Sequence, residues 1–241
     1  MGKVVVATCM APREQNLGFL ATMHSVKEHV SDLVLIGSFL NRELCMMVMS
    51  DLMKHMDVHW IELKPDLGLQ RSIQMKEAFD NLGTAKGVLF LDDDAFITGE
   101  EIEELVSLAN SPSYSCSVGF QPGLMKDIKK LKGRVAFDFF CTYLPREVAL
   151  SVLYDLDVHK VLVKIKRGGE CFLLDWVLRH RYGVVINTLV QGPYHAYRQD
   201  KFKVWGGWSF EKWDKLYQAV DKCSTIKEFE QLFIKEKLID A

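Results

Sequence analysis

Three consecutive aspartates, Asp92, Asp93 and Asp94, follow directly on the apolar run Val88-Leu89-Phe90-Leu91. Carboxylates this close repel one another and raise each other's pKa unless a cation sits among them. In an extended segment side chains alternate, so the spacing predicts Asp92 and Asp94 on one side and Asp93 on the other. Two hard oxygen donors at the carboxyl end of a buried parallel strand suit a divalent cation that also bridges phosphate oxygens. A solvated acidic turn would show the same three letters. The apolar run before them favours a ligand site.

The elements that must hold this triplet alternate along the first half of the chain. Lys3 to Met10, Leu33 to Phe39, Val58 to Leu63 and Lys86 to Leu91 read as strands, the last a continuous apolar run suited to a central parallel strand. Asn16 to Val30, the segment from an Asn41 cap to His55, and Leu69 to Leu82 read as the helices between them. This rhythm predicts a right-handed, doubly wound α/β sheet. After Gly99 it loosens: helices over 100–110, 147–156 and 171–181, strands over 114–120, 134–143 and 184–189, and two C-terminal helices over 210–221 and 226–237 are expected.

Composition sets limits. The chain has 241 residues, 49% of them apolar and 26% charged, enough for one compact core. A net charge of -2 gives no general attraction to nucleic acid, and none is expected as a partner. Six scattered cysteines without C-x-x-C spacing read as reduced, buried thiols. Met1-Gly2-Lys3 leads straight into Val4-Val5-Val6 without a secretory pattern, and no apolar run has the length of a membrane span. A soluble, cytoplasmic protein is expected, with peripheral membrane contact left open.

Val88 to Asp94 resembles the strand and DxD motif of GT-A nucleotide-diphospho-sugar glycosyltransferases, in particular glycosyltransferase family 2, the large inverting family typified by cellulose and chitin synthases. Gly68-Leu69, Arg71-Ser72 and Ala78 resemble that family's Gly-x-x-Ala-Arg-Asn helix, at a similar distance before the motif. The resemblance spans roughly residues 3 to 195. It implies a single GT-A (Rossmann-like) domain over 1–208 with a mixed, mainly parallel sheet flanked by helices. Its nucleotide half would run to about 99 and its acceptor half over 100–208, with a helical extension over 209–241. It also implies a Mn2+ or Mg2+ cofactor on Asp92 and Asp94, with Asp93, Thr8, Ala11, Arg13 and Arg71 at the nucleotide. One departure matters. The family often carries an aspartate just after the second strand, where this chain has Gly37-Ser38-Phe39.

Gly168-Gly169-Glu170 and the segment carrying Asp175, Trp176 and Arg179 are similar to the family's Glu-Asp helix, which supplies the catalytic base. Asp175 sits on an apolar stretch where burial would adjust its pKa, and Glu170 at the glycine-rich start is the alternative. Both also read as an ordinary cap and an ion pair with Arg179. His195, in Gly192-Pro193-Tyr194-His195, matches the place of a C-terminal histidine that completes the metal shell in many GT-A enzymes. Arg198, Lys201 and Lys203 lead into Trp205-Gly206-Gly207-Trp208, which reads as a lid over the donor or as a turn packed on the C-terminal helices. The basic runs 126–134 and 160–167 read as solvated helix faces.

The expected activity is transfer of a sugar from a UDP or GDP sugar to a hydroxyl of a glycan, lipid-linked or protein acceptor. The alternatives are a non-catalytic nucleotide-sugar-binding protein on the same fold and a haloacid-dehalogenase-like phosphatase.

Overall fold

A computed structural model describes residues 2–64, 66–110, 114–119, 139–165, 169–189, 192–195 and 210–239. Its strands are β1 (Val4–Met10), β2 (Val30–Gly37), β3 (Asp57–Glu62), β4 (Gly87–Leu91), β5 (Ala95–Phe96), β6 (Ser115–Gly119), β7 (Cys141–Pro145), β8 (Val185–Leu189) and β9 (Tyr194–His195). Seven of them form one sheet in the order β3-β2-β1-β4-β7-β6-β8. The first four are parallel, with Val5 beside Val88 and Ala7 beside Phe90. β7 runs antiparallel to both β4 and β6, and β8 parallel to β6. A separate two-stranded ribbon pairs Ala95 with His195 and Phe96 with Tyr194.

Helices α1 (Asn16–Ser25), α2 (Arg42–Leu52) and α3 (Leu67–Asp80) connect the parallel strands, and α4 (Gly99–Ala109) follows β5. The period-two alternation of each strand sorts its side chains to two cores. Val4, Val6 and Met10 face Phe19, Met23, Met49 and Leu105 of α1, α2 and α4. Val5, Ala7 and Cys9 face Met75 and Ala78 of α3 and the helices of the second half. Both faces of β1, β4 and β7 are thus covered, and every residue of these strands is buried.

Caps set several boundaries. Asn41 accepts from Leu44 N at 3.3 Å and Asp66 from Leu69 N at 3.1 Å, while Thr98 and Glu101 form a reciprocal capping box. The helix expected over 147–156 is the shorter α5 (Arg146–Val152), and a further helix that was not expected, α6 (Leu156–Leu162), follows it. Asp155 is the reason: its carboxylate accepts from Asp157 N at 3.1 Å and Val158 N at 3.3 Å, so it starts a new helix rather than continuing one. The helix expected over 171–181 is α7 (Glu170–Trp176), wholly buried, running into a π-helical turn over Val177–Arg181.

The C-terminal helices α8 (Phe210–Val220) and α9 (Ile226–Lys235) share the second core. Phe229 and Phe233 stack at 4.1 Å, and Phe233 meets Phe172 of α7 edge-on at 6.4 Å. None of the six cysteines is in a disulfide, and five of them are buried. Among the described residues no helix is long and apolar enough to cross a membrane.

Candidate metal and nucleotide site

The aspartate triplet is a turn, not a strand extension. β4 ends at Leu91, and Asp92 N still donates to Phe140 O at 3.1 Å. Ala95 N then donates back to Asp92 O at 3.1 Å, reversing the chain into β5. The alternation expected for an extended segment is therefore replaced by a different division. Asp92 accepts from Arg71 Nη2 at 2.8 Å. Asp94 accepts from Arg13 Nη1 at 3.2 Å, and the same nitrogen lies 3.5 Å from Asp93 Oδ1.

Local contacts fix this turn against β1. The Thr8 hydroxyl donates to Leu91 O and is fully buried, so it braces the strand end from within the sheet. Ala11 N donates to Asp93 Oδ2 at 2.8 Å. Asn16, which the sequence reading passed over, organises the whole corner. Its amide donates to Ala11 O at 3.0 Å and to Asp93 at 3.4 Å, and its oxygen accepts from Arg13 N and Leu40 N. An asparagine opening a helix just after a Pro-Arg pair is the signal that could have marked it.

Burial, then the neighbouring charges of Asp92 and Asp93, push Asp94 up to about 7; Arg13 only partly opposes them. Asp93 is also raised by burial, against the pull of Arg13 and the Ala11 N–H. Arg13 is half-exposed, with 43% of its side chain accessible, so it balances the corner incompletely. This accumulation of hard oxygen donors, with one carboxyl held near neutrality, is what a divalent cation would relieve, and in that sense the residues fit one. As they stand, the three carboxylates do not close on a common point, because Asp92 is drawn to Arg71.

Arg71 ties α3 to the triplet. Its Nη1 donates to Gln74 Oε1 at 3.1 Å, and its guanidinium lies 4.2 Å from the centre of the Phe139 ring. Burial alone would lower its pKa, but Cys9, Asp92 and Glu170 outweigh that and keep it charged. Gln74, a second residue the sequence reading missed, donates to Ala7 O at 2.8 Å and so anchors α3 on β1.

The two candidate bases are separated. Glu170, at the start of α7, is buried and close enough to Arg71 and Cys9 to shift both. Gly68 lets α3 pack closely on the end of α6, since a side chain there would stand 2.4 Å from Leu162 O and 2.5 Å from Ile165 O. Asp175 instead accepts from Arg179 Nε at 3.1 Å and acts on the Cys116 thiol of β6. His195 is brought beside the triplet by its backbone, paired with Ala95. Arg198, Lys201, Lys203 and the Trp205–Trp208 segment lie outside the described residues, as do the 126–134 run, Lys166 and Arg167.

Among the described residues one group does offer metal ligands within 4.8 Å of one another: His24, Asp51 and His55. It sits at the far ends of α1 and α2, where Lys54 occupies Asp51 at 2.8 Å and Lys27 faces His55 at 3.3 Å. Two ammonium groups already meet the need for positive charge there.

No family model and no curated protein matches the chain. Solved structures do. Glucosyl-3-phosphoglycerate synthase from Mycobacterium tuberculosis, in complex with Mn2+, UDP-glucose and phosphoglyceric acid, superposes with a TM-score of 0.53 at 11% identity, over 91% of this chain and 78% of that one. GalNAc-T7 with UDP, GalNAc and Mn2+ superposes with a TM-score of 0.61 at 12% identity, over 99% of this chain and 56% of that one. The fold is of the GT-A type. Within it, the aspartate turn lies between β1 and β7 at the carboxyl end of β4, where open α/β sheets take their ligands.

Proposed function

We propose that the chain is a metal-dependent glycosyltransferase that moves a sugar from a UDP-type sugar nucleotide to an acceptor hydroxyl. The observation that carries this reading is the aspartate turn, braced by Ala11 and Asn16 and bracketed by Arg13 and Arg71. The manganese and UDP sugars bound by similar folds support it.

Asp94 and Asp92 would hold the cation, with His195 as a third ligand. Bound there, a divalent cation supplies Lewis-acid stabilisation of the departing diphosphate. Arg13, half-exposed beside the carboxylates, would be available to phosphate oxygens, and Ala11 N–H would keep Asp93 in place as the turn's anchor. Arg71 holds Asp92 in orientation from below. Glu170 is the better placed of the two candidate bases, because it shares the Arg71 environment at the sheet's carboxyl edge; Asp175 is engaged with Arg179. Glu170 would take the proton of the acceptor hydroxyl as the sugar transfers. Arg198, Lys201 and Trp205 are proposed to cover the donor. The acceptor is a glycan, a lipid-linked sugar or a protein.

The test is manganese-dependent release of UDP from a panel of UDP sugars, with Asp94→Ala as control. Release that needs both manganese and Asp94 supports the enzyme. Saturable binding with no turnover across donors and acceptors leaves a binding protein.

A further inference from the structure

Arg71 and Arg13 flank the aspartate turn and are held in opposite ways. Arg71 is buried: its terminal nitrogens donate to Gln74 and Asp92, and its guanidinium rests on the Phe139 ring. It cannot leave Asp92 without stranding charge inside the protein. In Arg13 the backbone is pinned and the head is not. Arg13 N donates to Asn16 Oδ1 at 3.2 Å, and Arg13 O accepts from Asn16 N at 3.3 Å. Its guanidinium is half-exposed, whereas the two carboxylates it meets, Asp93 and Asp94, are buried. A swing of this side chain uncovers those carboxylates and carries its charge into water.

Arg13 Nη1 takes Asp94 Oδ2 at 3.2 Å, on the carboxylate proposed above as a metal ligand. A divalent cation arriving alone meets a guanidinium already on that carboxylate, and the two like charges oppose each other. A diphosphate arriving alone meets the acidic triplet. Together they remove both conflicts, because phosphate oxygens accept the Arg13 fork while the carboxylates take the cation.

We propose that Arg13 is a tethered counter-cation that locks the aspartate turn until a diphosphate draws it away, so that metal and diphosphate bind well only as a pair. The inference rests on the nucleotide-sugar reading above and adds how that site is regulated. Free divalent ions and free diphosphate are each held off, and the combination is admitted. A residue that merely contacts phosphate would leave the affinity for metal alone untouched; the lock lowers it.

Calorimetric titration of the full chain tests this, with manganese alone, with pyrophosphate or UDP alone, and with each in the presence of the other. It is run at mildly alkaline pH, where proton competition for Asp94 is small, and corrected for the manganese–diphosphate complex in solution. The wild type is expected to bind manganese about tenfold or more tighter when UDP is present, with the same factor for UDP when manganese is present. Arg13→Gln removes the charge and should bind manganese alone about tenfold tighter than the wild type, while most of the coupling is lost. Arg13→Lys keeps the charge and should restore the weak binding of manganese alone. Wild-type manganese affinity that is the same with and without diphosphate overturns the proposal whatever the variants do. So does unchanged manganese affinity in a folded Arg13→Gln, the result expected of a plain phosphate contact, and so does an equal gain in Arg13→Lys. Failure of the wild type to bind manganese with either pyrophosphate or UDP would instead sink the glycosyltransferase reading itself.

Discussion

Arg71 and Asp92 meet at 2.8 Å, joining the inner face of α3 to the exit of the central strand. The pair is asymmetric, with 7% of the arginine side chain exposed and 28% of the aspartate. Arg71→Met should therefore strand a mostly buried carboxylate and a cut Gln74 contact. We expect a loss of about 2–3 kcal/mol in urea unfolding, below the cost for a fully buried pair because Asp92 retains some water. An equal loss in Asp92→Asn, and no further loss in the double variant, would show that the pair acts as one unit.

Asp94→Asn separates charge from shape. Removing one carboxylate from a crowded corner should raise the melting temperature of the metal-free protein at neutral pH, and abolish the stabilisation that manganese with UDP confers on the wild type. A manganese-dependent shift that survives the substitution would place the cation elsewhere.

The elevated pKa of Asp94 gives a pH dependence with a definite sign. Its ordinary value is 3.8 and the folded value about 7. Between the two, the unfolded chain has already released a proton that the folded chain retains, so this group's contribution to metal-free stability falls as pH rises from 3.8 to about 7. A cation competes with that same proton. Manganese affinity, followed by the loss of the free-ion resonance, should climb about tenfold per pH unit below the folded value and level off above it. In Asp94→Asn both slopes should flatten.

Glu170→Gln tests the assignment of the base. We expect kcat to fall by about 10²–10⁴ with UDP affinity intact. Asp175→Asn should instead act through its contact with Arg179, costing about 1–3 kcal/mol in unfolding experiments and sparing kcat in proportion to the folded fraction. The reverse pattern would transfer the role to Asp175.

Gly37→Ala probes the carboxyl end of β2. The added methyl would sit 2.0 Å from Met10 O at a φ of +135. A loss of about 2 kcal/mol or more is expected in chemical denaturation.

The parallel half was legible because its signals are local: four apolar runs, helical spacing between them, and caps such as Asn41 whose partner is three residues away. The aspartate turn was legible as a cluster but not as a shape. Its division between Arg13 and Arg71 depends on residues 81 and 21 positions distant, which no window on the sequence contains. The same holds for Asn16 and Gln74, ordinary polar letters until β1 and α3 are brought together. The sequence put Asp175 ahead of Glu170 in one helix, whereas their partners, Arg179 for the first and the Arg71 environment for the second, are set by tertiary packing. The break at Asp155 was readable in principle, since aspartate favours helix starts over helix interiors.

The short ribbon of β5 and β9 carries a mechanical meaning. It clasps Ala95, the residue after the triplet, to His195, a hundred positions along the chain. The acidic turn is therefore gripped from both sides, by β4 before it and by β9 behind it. Any shift of the 192–195 segment pulls directly on the carboxylates, so events in the last quarter of the chain reach the site through two backbone pairings rather than through the sheet.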